Sequence, residues 1–259
     1  MSSYITTLFN VKGKVAALTG AGGYLVGEIA SGFIKAGAKV ALLDKDSDQL
    51  EKVFKKIKAD GGDALVLPTD VTSKESFEGA LEKVLERYND VDFLVNGAGF
   101  NAPTPFLDIT VDEWNSIISV QLTGTMLGCQ VFGGYMVSQG KGSIINISSA
   151  SAGPPLSKAF TYSVAKAGVK NLTENLAREW AISGVRVNAL RPGFFPTEWS
   201  KKHFLSADRV EAILNHTPMK RFGEPQELVG AVLWLCAESS SFVTGAEIKV
   251  DGGFSAMTI

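Results

Sequence analysis

The sequence predicts an α/β fold: a single Rossmann-type domain with a doubly wound parallel sheet of about seven strands and helices on both faces. Short apolar runs recur along the chain, and stretches with helical spacing separate them. The runs are apolar at consecutive positions, which is typical of strands covered on both faces. No linker rich in proline, glycine or serine interrupts this alternation, so one domain over residues 1–259 is predicted.

Seven runs are interpreted as buried strands. In chain order they are Lys14–Thr19, Val40–Asp44, Ala64–Pro68, Phe93–Asn96, Ser143–Ser148, Arg186–Arg191 and Glu247–Val250. Two less regular segments, residues 100–105 and 194–225, each follow a predicted strand. Ligands of parallel sheets bind at the carboxyl ends of the strands, so both segments are expected there and 194–225 is predicted to be a substrate loop.

The composition excludes several classes of function. The formal net charge of −2 gives no basic surface for nucleic acid. No apolar run is long enough to span a membrane, and the N-terminus lacks a secretory signal, so a cytoplasmic protein is expected. Cys129 and Cys236 are expected to be buried thiols, and with only His203 and His216 as histidines no metal site is expected.

A glycine-rich motif follows the first predicted strand and opens a helix. It comprises Thr19, Gly20, Gly22, Gly23, Tyr24 and Leu25. Glycines let the backbone approach a pyrophosphate, and a helix N-terminus attracts its negative charge. The motif therefore predicts a dinucleotide site, and a tight turn without a ligand is the alternative.

Asp44 ends the second predicted strand and is expected to accept hydrogen bonds from both adenosine ribose hydroxyls. A carboxylate there repels a 2′-phosphate, so NAD(H) is predicted over NADP(H), although Lys45 is adjacent. Capping of the next turn is the alternative role for Asp44.

Further cofactor contacts are predicted after the third and fourth strands. Asp70 and Val71 are expected near the adenine, with capping of a helix near Ser73 as an equally open role for Asp70. The small residues after Asn96, namely Gly97 and Ala98, allow close approach to the adenosine half.

Tyr162, Lys166 and Ser149 carry the predicted chemistry. Tyr162 and Lys166 are four residues apart, hence on one face of a helix. The ammonium is expected to lower the pKa of the phenol, which is ordinarily about 10. A hydroxyl at Ser149 can hold a carbonyl oxygen while the phenol exchanges its proton. Alone, the tyrosine–lysine spacing also fits a solvated lysine beside a half-buried tyrosine.

In the order and spacing of these motifs, the chain resembles the compact single-domain branch of the short-chain dehydrogenase/reductases. The matching residues are Thr19, Gly20, Asp44, Asp70, Asn96–Gly99, Ser149, Tyr162, Lys166, Pro192, Gly193, Thr197 and Asp251–Gly253. The resemblance implies that Tyr162 is the general acid–base, that Lys166 also holds the ribose, and that Ser149 orients the carbonyl. It implies nicotinamide contacts from Pro192, Gly193, Phe195 and Thr197.

The chain departs from the family pattern at two places. The pattern puts glycines at 24 and 26, where this chain has Tyr24 and Val26. The family usually has asparagine at the position of Gln121, holding a water that feeds protons to the lysine, and Gln121 is expected to take that role. The family is mostly tetrameric or dimeric, so a homo-oligomer, a tetramer before a dimer, is expected through helices at about 114–137 and 162–182.

Within the family, residues 192–197, 216–225 and 241–256 resemble the sugar-acid branch, which includes D-mannonate oxidoreductases and gluconate-type relatives. The expected activity is NAD(H)-dependent interconversion of a secondary alcohol and a ketone on a sugar acid such as mannonate/fructuronate or gluconate. Expected substrate contacts are Asn101, Ser149 and Arg191, and other candidates for the carboxylate are Lys201, Lys202, Arg209 and Arg221. Alternatives are an NAD-dependent epimerase/dehydratase-like enzyme and a dinucleotide-sensing protein without turnover.

Overall fold

All seven strands belong to one parallel sheet in the computed structural model, which describes residues 4–258 except for the side chains of Trp199 and His203. The strands are β1 (Val15–Thr19), β2 (Lys39–Asp44), β3 (Ala64–Pro68), β4 (Phe93–Asn96), β5 (Gly142–Ile147), β6 (Val185–Pro192) and β7 (Glu247–Val250), in the order β3-β2-β1-β4-β5-β6-β7. Three have the predicted bounds, two differ by one residue at one end and two differ by one residue at both ends. The predicted fold class is confirmed. The expectations about a signal and a histidine metal ligand depend partly on residues 1–3 and the His203 side chain, which lie outside the described part.

Helices cover both faces of the sheet. They are α1 (Tyr4–Leu8), α2 (Tyr24–Lys35), α3 (Ser47–Ala59), α4 (Lys74–Tyr88), α5 (Val111–Ile118), α6 (Gly124–Gly128), α7 (Gly134–Gln139), α8 (Phe160–Trp180), α9 (Glu198–His203), α10 (Ala207–His216) and α11 (Gln226–Cys236). Two π-helical segments, Ser119–Thr123 and Cys129–Gly133, join α5, α6 and α7 into one continuous helical run. No helix in the described range 4–258 is both long and apolar enough to cross a bilayer.

The core has two layers, one on each side of the sheet. On β1, Ala16 and Leu18 face a layer built from α2, α3 and α11. Val15 and Ala17 face the opposite layer, built from α4 and the α5–α7 run. Successive strand residues point to opposite faces, so a strand covered on both sides is apolar throughout, which explains the consecutive apolar runs.

The segment 194–225 was predicted to be an irregular loop, and the structure corrects this because the segment contains α9 and α10. Thr197 and Ser200 form a capping box that starts α9. Pro196 and Pro218 lie outside the two helices, where proline costs no helical hydrogen bond. The segment therefore places short helices, not an open loop, beside the edge of the sheet.

The strand order changes direction between β1 and β4, and this determines where a ligand site can form. β1 pairs with β2 on one side and with β4 on the other, and the register puts Thr19 level with both Leu43 and Asn96. The segments that follow these strands therefore leave the same edge of the sheet and diverge. A crevice at the carboxyl ends of the strands, beside such a switch point, is where ligands of open α/β sheets bind.

Candidate active site

A cleft of about 870 Å³ opens at this edge of the sheet. It is lined by most of the residues that the sequence predicted for the site, namely Gly20, Gly23, Tyr24, Leu25, Asp44, Asp70, Val71, Gly97, Ala98, Asn101, Gln121, Ser149, Tyr162, Lys166, Gly193, Phe195 and Thr197. Its volume lies within the range usual for small-molecule sites. The topology therefore gathers into one cleft residues spread over most of the chain.

The end of the cleft near β1 is shaped to receive a phosphate. Gly20 has φ +73°, and a Cβ there would lie 2.7 Å from the backbone of Ala98, so this turn requires glycine. Gly23 precedes α2 without a side-chain cap, and the first turn of α2 has no acidic residue. The backbone N–H groups and the positive dipole end of α2 are thus not offset by a local carboxylate.

Asp44 is held in a fixed orientation beside this turn. One carboxylate oxygen accepts a hydrogen bond from the backbone N–H of Gly22 at 3.0 Å, and the other accepts one from Asp46 at 3.1 Å. Asp46, not Asp44, caps α3. The carboxylate lines the cleft together with Lys45, in a position that suits ribose hydroxyls.

Asp70 does not cap α4, because Ser73 does so by accepting a hydrogen bond from Ser76. The Asp70 carboxylate instead accepts from the backbone N–H and hydroxyl of Thr72 at 2.9 and 2.7 Å, which lowers its pKa. Asp70 therefore lines the cleft as a stabilised anion.

Four predicted cofactor residues do not line the cleft: Thr19, Gly22, Asn96 and Pro192. The Thr19 hydroxyl accepts hydrogen bonds from the backbone N–H groups of Gly97 and Ala98 at 3.0 and 3.3 Å. The Asn96 amide donates to the side-chain oxygen of Asn146 at 2.9 Å. These two side chains thus hold the backbone after β4.

Ser149 has its hydroxyl oriented by a residue that the sequence prediction missed. Its oxygen accepts two hydrogen bonds from Ser151, one from the backbone N–H at 3.2 Å and one from the hydroxyl at 3.1 Å. A serine oxygen has two lone pairs, so both are engaged and the Ser149 proton is left to donate toward the cleft. The only sequence signal for Ser151 is its place two residues after Ser149.

Tyr162 and Lys166 lie on the first turns of α8. The Lys166 ammonium donates to the carbonyl oxygen of Ile147 at 2.7 Å and lies 5.6 Å from the centroid of the Tyr162 ring. Burial lowers the pKa of Lys166 to about 7. Burial also raises the pKa of Tyr162, and a hydrogen bond from the Ser149 hydroxyl acts in the opposite direction.

The expected lowering of the Tyr162 pKa by Lys166 does not hold in the structure, because burial of the phenol raises its pKa and the opposing contribution comes from Ser149. With a pKa of about 7, Lys166 can exchange its proton near neutral pH.

Gln121 lies in the first π-helical segment, and only 1% of it is exposed. Its amide nitrogen donates to the carbonyl oxygen of Phe100 at 2.7 Å. Its amide oxygen, which is buried, has no hydrogen-bond partner among the described residues. That oxygen is an unused acceptor beside the cleft, which fits the predicted water-holding role.

Arg191 was expected to contact substrate, and the structure corrects this. Its side chain is only 7% exposed and pairs with Glu247 at 3.3 Å. Its Nε donates to the carbonyl oxygen of Ser149 at 3.1 Å, and Arg191 does not line the cleft. Arg191 therefore supports the segment that carries Ser149.

Comparison with known proteins agrees with this geometry. A family model described as enoyl-(acyl carrier protein) reductase matches residues 26–255. The chain is 39% identical to UxuB, an uncharacterised oxidoreductase of Bacillus subtilis (strain 168), over 95% of this chain and 96% of that protein. The chain belongs to the short-chain dehydrogenase/reductase family. It is an oxidoreductase, and the predicted family is confirmed.

Other members of the family are similar along almost the whole chain. A galactitol 2-dehydrogenase (L-tagatose-forming) of Cereibacter sphaeroides is 36% identical over 96% of this chain and 98% of its own. The crystal structure of a gluconate 5-dehydrogenase from Burkholderia cenocepacia J2315, in complex with NADP and tartrate, superposes with a TM-score of 0.93 at 28% identity, covering 98% of this chain and all of that one.

The other residues predicted to bind a substrate carboxylate differ in whether they line the cleft. Lys201 pairs with Glu198 at 2.7 Å and Arg221 with Glu227 at 2.6 Å, both at exposed positions outside the cleft. Arg209 lines the cleft. Further lining residues that the sequence prediction did not single out include Phe100, Leu156, Lys158, Phe194, Phe204 and Leu205. Four of these six fall in the two segments predicted to lie at this edge.

Proposed function

We propose that this protein is an NAD(H)-dependent oxidoreductase that interconverts a secondary alcohol and a ketone on a polyhydroxy substrate. The proposed substrate class is the sugar acids, such as mannonate/fructuronate or gluconate. One observation carries the proposal: Ser149, Tyr162 and Lys166 line the same cleft whose other end holds Gly20 and Asp44. The proton-transfer residues and the residues proposed to bind the dinucleotide thus line the same cleft.

The side chains can perform the proton chemistry in both directions. In ketone reduction, Ser149 donates a hydrogen bond to the carbonyl oxygen and the neutral Tyr162 phenol gives it a proton. In alcohol oxidation, the phenolate form of Tyr162 takes the hydroxyl proton. The protonated form of Lys166 favours this phenolate and so acts against burial, which raises the phenol pKa. When bound, the nicotinamide supplies the hydride acceptor or donor.

The residues of the cleft fit a nicotinamide dinucleotide. The turn at Gly20 and the N-terminus of α2 suit a pyrophosphate, and Asp44 suits the adenosine ribose. The fixed Asp44 carboxylate disfavours a 2′-phosphate by like-charge repulsion, which supports NAD(H). The Burkholderia relative was crystallised with NADP, so the cofactor preference is a property of this chain to be measured directly.

The sugar-acid proposal draws on the relatives. Galactitol and gluconate, the substrates in their names, are both polyhydroxy compounds. The tartrate in the Burkholderia structure is a hydroxy acid. The cleft also offers Asn101 and Ser151 as polar groups near the proton-transfer end, which suits a substrate with several hydroxyls.

A substrate screen tests the proposal. The protein is incubated with NAD and a panel of hexonates, hexuronates, polyols, steroids and hydrophobic alcohols, and reduced nicotinamide is followed by absorbance. Turnover of sugar acids or polyols is expected, with Tyr162→Phe as the inactive control. Turnover confined to hydrophobic substrates would contradict the proposal.

A further inference from the structure

Charges are distributed unevenly along the cleft. Among its described lining residues the only carboxylates are Asp44, which ends β2, and Asp70, which follows β3. Both lie at the predicted nucleotide end. The charged lining residues on α8, on the turn before it and on α10 are all basic: Lys158, Lys166 and Arg209. Lys166 is buried and bonded to a backbone carbonyl, so Lys158 and Arg209 are the two cations available to a ligand.

Lys158 is held in an unusual backbone conformation at the turn before α8. Its φ of +60° is left-handed, which is unfavourable for a residue other than glycine, asparagine or aspartate. The turn is fixed from two sides. Asn101 donates from its side chain to the carbonyl oxygen of Lys158 at 3.2 Å, and Arg209 donates to the hydroxyl and, at 2.9 Å, the carbonyl oxygen of Ser157.

Strain that neighbouring elements maintain is a feature of functional sites. Here the loop after β4 contacts Lys158 and helix α10 contacts the adjacent Ser157, so both elements hold the turn before α8. Lys158 and Arg209 thus reach the same end of the cleft from parts of the chain far apart in sequence.

Both side chains keep hydrogen-bond donors for a ligand. Within residues 4–258, apart from the two undescribed side chains, no carboxylate pairs with Lys158 or Arg209, and the Lys158 ammonium has no hydrogen-bond partner. Arg209 uses two nitrogens on Ser157, but a guanidinium carries five N–H groups. Two cations with free donors and no local anion form a site for a negatively charged group.

We propose that Lys158 and Arg209 bind the carboxylate of the substrate while its reacting carbon lies at Tyr162 and Ser149. The inference extends the proposed function, since it assumes that the substrate enters at this end of the cleft. It makes the two cations specificity-determining residues, because they favour a sugar acid over a neutral polyol of similar size.

The test compares Lys158→Asn with a matched control. Asparagine tolerates a left-handed φ, so this change removes the ammonium and keeps the turn. Lys220→Asn is the control, because Lys220 also has a left-handed φ, of +54°, and does not line the cleft. The readouts are kcat/KM for gluconate, fructuronate and a neutral polyol such as galactitol, and the binding of gluconate by titration calorimetry.

For Lys158→Asn we expect kcat/KM on the sugar acid to fall about tenfold or more, chiefly through KM, and gluconate to bind correspondingly more weakly. Activity on a neutral polyol should change less than about twofold, and Lys220→Asn should leave every value unchanged. In Arg209→Met/Lys158→Asn the loss on the sugar acid should deepen by about another tenfold.

The inference would be overturned by an equal loss on sugar acid and polyol, or by gluconate binding that is unchanged in Lys158→Asn. Failure of the proposed function is a separate result, in which the wild-type protein oxidises neither class with NAD. If neither class is oxidised, calorimetry of gluconate binding to the wild-type protein and Lys158→Asn still tests the inference. Absence of gluconate binding to the wild-type protein would also reject it.

Discussion

Arg191 donates a hydrogen bond from Nε to the carbonyl oxygen of Ser149 at 3.1 Å. The same guanidinium pairs with Glu247, and the hydroxyl of Ser148 donates to the other oxygen of that carboxylate at 2.8 Å. The Arg191 and Glu247 side chains are 7% and 10% exposed. A nearly buried ion pair thus ties β6 and β7 to the segment that presents Ser149.

Replacement of Arg191 with methionine is expected to cost stability. The change leaves the Glu247 carboxylate buried without its partner, which typically costs about 3–5 kcal/mol. Chemical denaturation measures the free energy of unfolding. The double variant Arg191→Met/Glu247→Leu should recover much of the loss, because no unpaired charge remains. A single variant as stable as the wild-type protein would show that the pair contributes nothing.

Lys166 is expected to make stability depend on pH. Its pKa falls from 10.5 in the unfolded chain to about 7 in the folded protein, so between these values the unfolded state binds more protons. The free energy of unfolding should therefore rise with pH across this window, by about 1.4 kcal/mol per pH unit from this group. The contribution is complete above 10.5 and is lost as the pH falls to about 7.

Comparison with Lys166→Met isolates this effect. The variant should be more stable than the wild-type protein near pH 7, because it buries no ammonium. That advantage should shrink by about 2–3 kcal/mol on going to pH 9. An advantage that stays constant with pH would contradict a depressed lysine pKa.

The fold was predictable because it depends on a short-range pattern. In runs such as Phe93–Asn96 every residue is buried and the first three are apolar, as burial between two helical layers favours. Two short helices were missed. α9 and α10 have 6 and 10 residues, and in a segment with three prolines their periodicity is hard to distinguish from a loop.

The candidate site was predictable where a motif is local. Tyr162 and Lys166 are one helical turn apart, so their proximity follows from sequence spacing. The role of Arg191 was not predictable, because its partner Glu247 lies on another strand and burial changes what an arginine can contact. The sequence did not indicate a role for Lys158, because its left-handed φ is held by contacts with residues distant in sequence.

Asp44→Asn is expected to relax the cofactor preference. An asparagine oxygen can still accept the hydrogen bond from Gly22, although the one from Asp46 is lost. The glycine turn should therefore keep its shape while the negative charge is lost. The wild-type protein should favour NADH over NADPH by about tenfold or more in kcat/KM, and the variant should lose most of that difference. If both proteins use the two cofactors equally, Asp44 does not select the cofactor.

Ser151→Ala is expected to lower kcat more than it raises KM. The change removes one of the two hydrogen bonds that orient the Ser149 hydroxyl. A misaligned donor weakens stabilisation of the reacting oxygen, and we expect a loss of about tenfold in kcat. Ser151→Thr keeps the hydroxyl and should retain more activity than Ser151→Ala. Equal activity of the two variants would argue that the hydroxyl has no orienting role.

Tyr162→Phe is the most direct test of the proposed chemistry, because it removes one oxygen and leaves the ring in place. Steady-state kinetics on the best sugar acid from the screen, combined with NADH binding by fluorescence, separates catalysis from cofactor affinity. We expect kcat to fall by about a hundredfold or more, the range of a lost general acid–base, with NADH affinity nearly unchanged. A variant that keeps more than about a tenth of the wild-type kcat would contradict the role of Tyr162 as the proton-transfer group.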